Sequence, residues 1–280
     1  MANIAIVHNP QAGNGRSKSL SEALQQLLQK EKIPFSVFGP PWPDSLQGFT
    51  AVWLIGGEGT LNHYINQYAD LDLPLALFKG GSGNDFAWKL YGNKGWQEYA
   101  QLALTERPKK VDAGVCNGWY FINGFGVGFD GEVVKSMANR KIFPSHLSYL
   151  LAVWKQLFLY RSRVVRIEGD ELVMEGKCLM AAVANGARFG GGFLVAPQAR
   201  LDDGWLDLIF VHPLSIWQRI RCLPLIKRGK HLGKSFVTMQ KVRFVRISAG
   251  QTMDGQIDGE RIVGHVFQVE VLPSKFSFFY

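Results

Sequence analysis

Three glycine-rich turns in the first third of the chain each stand between a hydrophobic run and a helical pattern. They occupy residues 9–15, 56–62 and 80–85. Hydrophobic strands that alternate with helices predict βαβ units and a parallel sheet. The strands are predicted at residues 3–8, 34–38, 51–55 and 75–78, and the helices at 18–31, at 60–68 and near 86. Because the carboxyl ends of parallel strands meet at one edge of a sheet, the turns predict a ligand site at that edge.

The chemistry of these turns favours a ligand that carries phosphate. Free backbone N–H groups and a helix N-terminus together attract anions. One such turn alone is more often an ordinary strand-to-helix connection, but three in one sheet indicate a binding site. No Walker A sequence occurs in the chain. A G-x-G-x-x-G pattern at Gly126, Gly128 and Gly131 lacks an acidic residue about 20 positions later, and we interpret it as a glycine-rich strand end.

The pattern changes near Asp112, where short β-rich runs replace the alternation of strands and helices. We predict an α/β domain at residues 1–113, to which the tail 275–280 can return, and a second domain of mainly antiparallel strands at 114–274. A chain of 280 residues is long enough for two domains with separate cores. The second domain has helices predicted near 131–138 and 146–160, and strands predicted at 114–115, 120–124, 163–167, 179–185, 205–211, 236–247, 256–258 and 266–272.

The net charge of +8 lies entirely in the second half, where residues 114–280 hold 21 basic and 13 acidic side chains. Seven basic residues and no acidic residue lie between Glu132 and Glu168. Nine basic residues and no acidic residue lie between Asp207 and Asp254. Residues 214–228 mix bulky apolar and cationic side chains, as a segment at a membrane surface does. The alternative is a helix whose apolar face belongs to the core. No recognition-helix, RNP or zinc pattern occurs, so we do not expect a nucleic-acid partner.

The three cysteines, Cys116, Cys178 and Cys222, are too scattered for a disulfide framework or a metal site. We expect them to be reduced, as in the cytoplasm. The start of the chain lacks the pattern of a signal peptide. The longest apolar stretch, 147–160, falls short of the ~20 residues that a spanning helix needs. Exposed strand edges in either domain are compatible with a homodimer.

Six motifs, in order along the chain, resemble the diacylglycerol kinase catalytic family. More narrowly, they resemble soluble bacterial lipid kinases related to diacylglycerol and sphingosine kinases. The motifs are Asn9-Pro10 with Gly13, Gly56 to Thr60 with Asn62, Ser82 to Phe86, Asn123 to Asp130, Gly190 to Asp207, and Ile257 to Glu260.

The resemblance implies a fold, a reaction and a location. The fold is a nucleotide-binding α/β domain of the NAD-kinase and phosphofructokinase type, followed by a β-sandwich domain, with the active site in the cleft between them. The reaction is ATP-dependent phosphorylation of a hydroxyl group of a membrane lipid such as diacylglycerol. The enzyme would be cytoplasmic and peripheral at the inner, anionic membrane surface, with Mg²⁺ as its metal.

The resemblance also implies roles for residues. Asp258 and Glu260 are the candidate general base and its partner. A structural magnesium site falls on the Asp203 side chain and on the backbone carbonyl groups of Arg200 and Trp205. The residues expected at the nucleotide are Asn9, Pro10, Gln11, Ala12, Gly13, Gly56, Gly57, Glu58, Gly59, Thr60, Leu61, Asn62, Ser82 and Asn84. Glu58 and Asp85 can hold a catalytic cation. Taken alone, residues 258–260 and 202–204 would be ordinary turns.

Several positions depart from the family pattern. Glu58 replaces the usual aspartate and places its carboxylate farther out, and magnesium is strict about geometry. Lys79 stands where proline is usual, and we expect it to face the nucleotide phosphates. Ser82 replaces a threonine, and His63, where an acid is usual, is expected on the helix surface. Two alternatives to a lipid kinase remain, which are a kinase for a soluble substrate such as NAD and a nucleotide-binding, membrane-associated regulatory protein without activity.

Overall fold

Two bodies, each with its own hydrophobic core, make up the chain. A computed structural model describes residues 2–81, 83–138 and 145–280. The first unit is Met1–Val111 together with Ser274–Tyr280, and the second is Asp112–Pro273. These limits lie within two residues of the predicted ones.

The first unit is built on a parallel sheet. Its elements are β1 (Ile4–His8), α1 (Arg16–Lys30), β2 (Phe35–Phe38), β3 (Ala51–Gly56), α2 (Glu58–Gln67), β4 (Leu75–Lys79), α3 (Asp85–Tyr91) and α4 (Trp96–Thr105). The strand order is β2-β1-β3-β4, with every pair parallel. Every residue of β3 is buried, which is typical of a parallel strand covered on both faces. The sheet therefore presents the three glycine turns at the carboxyl ends of β1, β3 and β4.

The tail of the chain belongs to this first unit. Phe278 pairs in parallel with Leu75 of β4. The Phe278 ring is fully buried and packs edge-on against Phe86 of α3, with ring centroids 5.2 Å apart.

The second unit is mainly antiparallel. It holds part of β5 (Lys109–Cys116), β6 (Trp119–Phe121), β7 (Gly124–Gly128), α5 (Phe129–Ala138), α6 (Ser145–Leu159), β8 (Arg163–Gly169), β9 (Leu172–Cys178), β10 (Met180–Ala184), β11 (Leu206–Val211), α7 (Ile216–Lys227), β12 (Val237–Val242), β13 (Phe244–Ile257) and most of β14 (Glu260–Phe278). The order β12-β11-β10-β7-β13-β14 runs through antiparallel pairs, and the β8–β9 hairpin pairs with β13.

Alternate residues of the central strands belong to two separate hydrophobic clusters, one on each face of the sheet. Ala181 and Val183 of β10 pack with Phe125 and other residues of the strands. Their neighbours Ala182 and Ala184 pack on the other side, in the cluster that holds Tyr160 and Cys222. This period of two is the ordinary geometry of a strand. The sheet is therefore covered on both faces.

The predicted fold class is confirmed, but several elements differ from the prediction. Helix α4 and strand β9 were not predicted, and the run 236–247 is two strands, β12 and the start of β13. Within the described residues, no helix has the length and apolar character that crossing a membrane requires. The three cysteines are free and buried.

Candidate active site

The three glycine turns of the first unit meet backbone to backbone. Gly80 N donates to Gly56 O over 2.8 Å. A Cβ atom on Gly13 would overlap Gly80 O, and one on Gly81 would overlap Gly57 Cα. Glycine is therefore required for steric reasons at these contacts, and Gly13 also has a φ of +62°. The predicted convergence at one sheet edge is what the structure has.

The start of α1 lies directly after the first glycine turn. Its N-cap residue, Gly15, gives no side-chain cap, and the first turn holds no acidic residue. The turn before it is shaped by Asn9, whose Oδ1 accepts from Gln11 N over 3.1 Å. Asn9 N donates to Ile55 O at the end of β3, over 3.3 Å. The N–H groups of Arg16, Ser17 and Lys18 already donate to Gly13 O, Ala12 O and Gly15 O. The N–H groups suited to the phosphates of a nucleotide are therefore those of residues 13–15, in the turn before the helix.

Glu58 has a structural partner in addition to its predicted role. Its Oε1 accepts from Asp85 N over 2.9 Å, at the start of α3, where Asn84 supplies no side-chain cap. Asn84 instead closes its own turn, since its Oδ1 accepts from Gly81 N and its Nδ2 donates to Gly81 O. The longer side chain of glutamate thus joins the second glycine turn to the third.

Burial divides the residues predicted at the nucleotide. Asp85 is fully buried, and Thr60, Leu61 and Asn62 are buried within α2. Gln11 and Gly59 are exposed, and most of the other predicted residues in the turns are half-buried. The surface that a ligand can reach is therefore formed by the turns and the first residues of α2, and not by residues 60–62 or Asp85. Ser82 lies outside the described residues.

Lys79 is directed elsewhere than expected. Its Nζ donates to Gly92 O over 2.6 Å and lies 5.2 Å from the centre of the Tyr99 ring. These partners belong to the end of α3 and to α4, and neither is part of a glycine turn. The ammonium group of Lys79 already contacts the Gly92 carbonyl and the Tyr99 ring. This geometry therefore gives no support to the expectation that Lys79 faces the phosphates. His63 is exposed, as expected, and packs on Trp42.

Asp258 of the second unit is held by backbone donors. Its Oδ2 accepts from Ile122 N over 2.9 Å, and its Oδ1 accepts from Asn123 N and Gly124 N over 3.0 and 2.8 Å. Asp258 has a φ of +47° in the turn between β13 and β14. Both oxygens are therefore engaged in fixing that turn.

Glu260 is the exposed carboxylate of the same turn. It is the first residue of β14 and pairs with Ile257 of β13. Among the described residues, no hydrogen bond or ion pair involves its side chain. Asp258 thus fits the role of a positioning residue, and Glu260 is the carboxylate that a substrate can approach.

A lysine lies at the predicted magnesium site. The Lys241 ammonium forms an ion pair with Oδ2 of Asp203, and Oδ1 of Asp203 accepts from Trp205 N over 3.2 Å. Lys241 Nζ also lies 3.9 Å from Oδ1 of the buried Asp207. The Arg200 side chain is exposed and pairs with Asp202. An ammonium group therefore lies beside the carboxylate at which the cation was expected.

A narrow apolar slot lies between the helices and the sheet of the second unit. Its volume is about 80 Å³, and its lining includes Phe129, Tyr149, Leu157, Phe189, Phe193, Leu223 and Ile226. Asp130 also lines it, and burial raises the pKa of this carboxyl to about 6, although a hydrogen bond from Gln256 acts in the opposite direction. Few polar groups among many apolar ones are typical of small-molecule sites. No sequence pattern indicated this slot, because its lining residues are far apart along the chain.

Two family descriptions together cover nearly the whole chain. Residues 3–116 match the diacylglycerol kinase catalytic domain, and residues 124–280 match the YegS C-terminal NAD kinase beta sandwich-like domain. The second match alone spans more than half of the chain. The chain belongs to the family that this second description defines, and its first part matches the catalytic domain of diacylglycerol kinases. By this membership it is a lipid kinase, a phosphotransferase with an alcohol group as acceptor.

Individual relatives support the assignment. A protein of Bacillus subtilis named diacylglycerol kinase is 28% identical over 220 residues, which are 77% of this chain and 73% of that protein. A protein of Pseudomonas aeruginosa named probable lipid kinase YegS-like is 25% identical over 285 residues, covering 96% and 91% of the two chains. A crystal structure of a diacylglycerol kinase from Bacillus anthracis has a TM-score of 0.73 at 21% identity and covers 99% of this chain and 96% of its own. That likeness shows the fold.

Proposed function

We propose that this kinase transfers the γ-phosphate of ATP to a hydroxyl group of diacylglycerol or a similar membrane lipid. The observation that carries the proposal is the backbone-to-backbone contact of the three glycine turns beside the start of α1. Relatives named for diacylglycerol and for lipid kinase activity support the choice of acceptor.

The nucleotide phosphates bind at the turns of the first unit. The backbone N–H groups of residues 13–15, in the turn before α1, donate to phosphate oxygens. Arg16 and Lys18, both exposed in the first turn of α1, add positive charge. Magnesium would enter with the nucleotide, because phosphate oxygens are its usual ligands, and would supply positive charge for phosphoryl transfer.

The apolar slot of the second unit supports a lipid as acceptor. An acyl chain can exchange water for the aromatic and aliphatic side chains that line the slot. At about 80 Å³ the slot is narrow. A longer chain therefore has to move the lining side chains apart, and the fit selects among acyl chains.

Glu260 is the proposed general base. The lipid hydroxyl gives its proton to the Glu260 carboxylate while its oxygen bonds to the γ-phosphorus, and the bond from that phosphorus to the β-γ bridging oxygen breaks to release ADP. A base in this role contributes about 10²–10⁴-fold to a rate. Asp258 fixes the turn that carries Glu260 through its three backbone hydrogen bonds.

Transfer of label from γ-labelled ATP tests the proposal directly. Purified enzyme is incubated with magnesium and mixed micelles that contain diacylglycerol, monoacylglycerol, phosphatidylglycerol or sphingosine, and NAD serves as a soluble acceptor. Label in the organic phase with one of the lipids is the expected result. Label in NAD alone would point to a kinase for a soluble substrate. Binding of ATP without transfer to any acceptor would favour a regulatory protein.

A further inference from the structure

Large apolar side chains are exposed at the end of α6 and at the start of α7. Trp217 is 75% exposed and Leu159 is 61% exposed, far more than core residues of their type. We call the set the α6–α7 surface, and its apolar members are Leu151, Trp154, Phe158, Leu159, Ile216 and Trp217. Scattered exposed apolar residues are ordinary, but a contiguous group indicates an interaction site.

A buried arginine holds these two helix ends together. Arg219 Nη1 donates to Leu157 O over 3.0 Å and to Tyr160 O over 2.8 Å, and Arg219 Nε donates to Leu214 O over 3.0 Å. The guanidinium thus caps the last carbonyl groups of α6 from within the first turns of α7. Phe158 and Leu159 directly follow Leu157 in the sequence. Ile216 and Trp217 lie three and two residues before Arg219. The exposed apolar side chains therefore share one surface.

The charges around this surface have one sign. Lys155, Arg161 and Arg221 are exposed, and within the described ranges none of them forms an ion pair. No acidic residue occurs in the sequence between Glu132 and Glu168 or between Asp207 and Asp254. An open pocket of about 690 Å³ adjoins the end of α6 and is lined by Lys155, Leu159, Arg161 and Arg163. Glu132 also lines it but is paired with Lys135 and Arg163.

We propose that the α6–α7 surface docks on an anionic lipid bilayer. Tryptophan is favoured at the boundary between headgroups and acyl chains, and basic side chains beside it pair with lipid phosphates. A second copy of the chain would bring the same unbalanced positive charge to the interface and would be repelled. The docking extends the predicted segment 214–228 to α6. It does not depend on the proposed reaction.

Sedimentation with sucrose-loaded vesicles tests the proposal without ATP or substrate. Equimolar phosphatidylcholine and phosphatidylglycerol should bind the wild-type chain, and phosphatidylcholine alone should bind it much less. The double variant Phe158→Gln, Trp217→Gln should bind the anionic vesicles about tenfold more weakly, because each side chain loses part of an apolar burial. Lys155→Gln and Arg161→Gln should each weaken binding about fivefold.

Trp119→Gln is the matched control, since Trp119 is 60% exposed in β6, outside the α6–α7 surface. It should bind like the wild type, and all variants should keep the wild-type circular dichroism spectrum. Equal binding by the double variant and the wild type would overturn the proposal, as would an equal loss in Trp119→Gln. A wild-type dimer that the double variant dissociates, without vesicle binding, would show that a second copy covers the surface instead.

Separate measurements distinguish a failure of bilayer docking from a failure of the proposed reaction. Micelles present the lipid without a bilayer, so a docking variant should still phosphorylate lipid in detergent. Vesicle binding without phosphorylation of any lipid would leave the docking in place and remove the reaction.

Discussion

Lys241 and Asp203 show how one residue pair changes the chemistry expected of a site. The sequence motif around Asp203 predicted a magnesium ion, yet the Lys241 ammonium pairs with this carboxylate. The two residues are 38 positions apart, so no local spacing rule reveals the contact. The signal lies in the pairing of β11 with β12, which places Lys241 opposite Asp207. A lysine supplies the positive charge that the carboxylates of this region require.

Thermal unfolding in the presence of EDTA or of magnesium tests the role of Lys241 beside Asp203. We expect the same unfolding temperature in both, because a covalently attached ammonium replaces the ion. Lys241→Gln should lower the free energy of unfolding by about 1 kcal/mol, since the pair is partly exposed and the buried Asp207 loses a nearby cation. Lys234→Gln, exposed in the same unit, should have no effect. A clear loss of wild-type stability in EDTA would contradict the prediction.

The connections between strands and helices depend on close backbone contacts. Gly13→Ala should lower the unfolding temperature and weaken ATP binding at least tenfold, because its Cβ would overlap Gly80 O and separate the first and third turns. Gly48→Ala is the control, since Gly48 also has a positive φ, +90°, but no atom lies within 4 Å of the position that an added Cβ would take. Calorimetric titration with ATP measures the difference. Similar losses in both variants would mean that backbone strain, not the contact of the turns, is responsible.

Elements with a strong hydrophobic period could be predicted from the sequence, and those without one could not. Strands β1, β3 and β4 are mainly apolar runs, and the predicted limits of all four strands of the parallel sheet agree with the structure within a residue. Strand β9 alternates between half-buried and exposed residues in the structure. Its sequence contains Glu175 and Lys177, so its hydrophobic pattern is weak. Helix α4 buries only Tyr99 and Ala100. Its short apolar face has too little periodicity to predict a helix.

In the molecule as a whole, the motifs predicted which residues lie close together. They did not predict which hydrogen bonds each residue forms. The family motifs placed Asp258 and Glu260 in one turn, and the structure shows that Asp258 is held by three backbone N–H groups while Glu260 is exposed. Hydrogen bonds between residues more than 130 positions apart leave no trace in one sequence. The same holds for the bond of Glu58 to Asp85.

Burial of Asp130 predicts a pH dependence of stability for the second unit. Its pKa is raised from 3.8 to about 6, so the folded chain keeps this proton after the unfolded chain has lost it. Protonated Asp130 therefore contributes fully to the free energy of unfolding below about pH 4. This contribution, roughly 3 kcal/mol, is lost as the pH rises to about 6. Asp130→Asn should remove this loss. Urea unfolding of both proteins over this range gives the difference, and parallel pH profiles would contradict the prediction.

The catalytic role of Glu260 is tested by comparing Glu260→Gln with Glu270→Gln in the transfer of labelled phosphate from ATP to lipid. Both residues are exposed glutamates of β14, but only Glu260 lies in the turn that Asp258 fixes. We expect Glu260→Gln to bind ATP normally and to lose about 10²–10⁴-fold in kcat, and Glu270→Gln to match the wild type. Full transfer by Glu260→Gln would contradict the assignment of Glu260 as the base, and no transfer by the wild type to any lipid would contradict the proposed function.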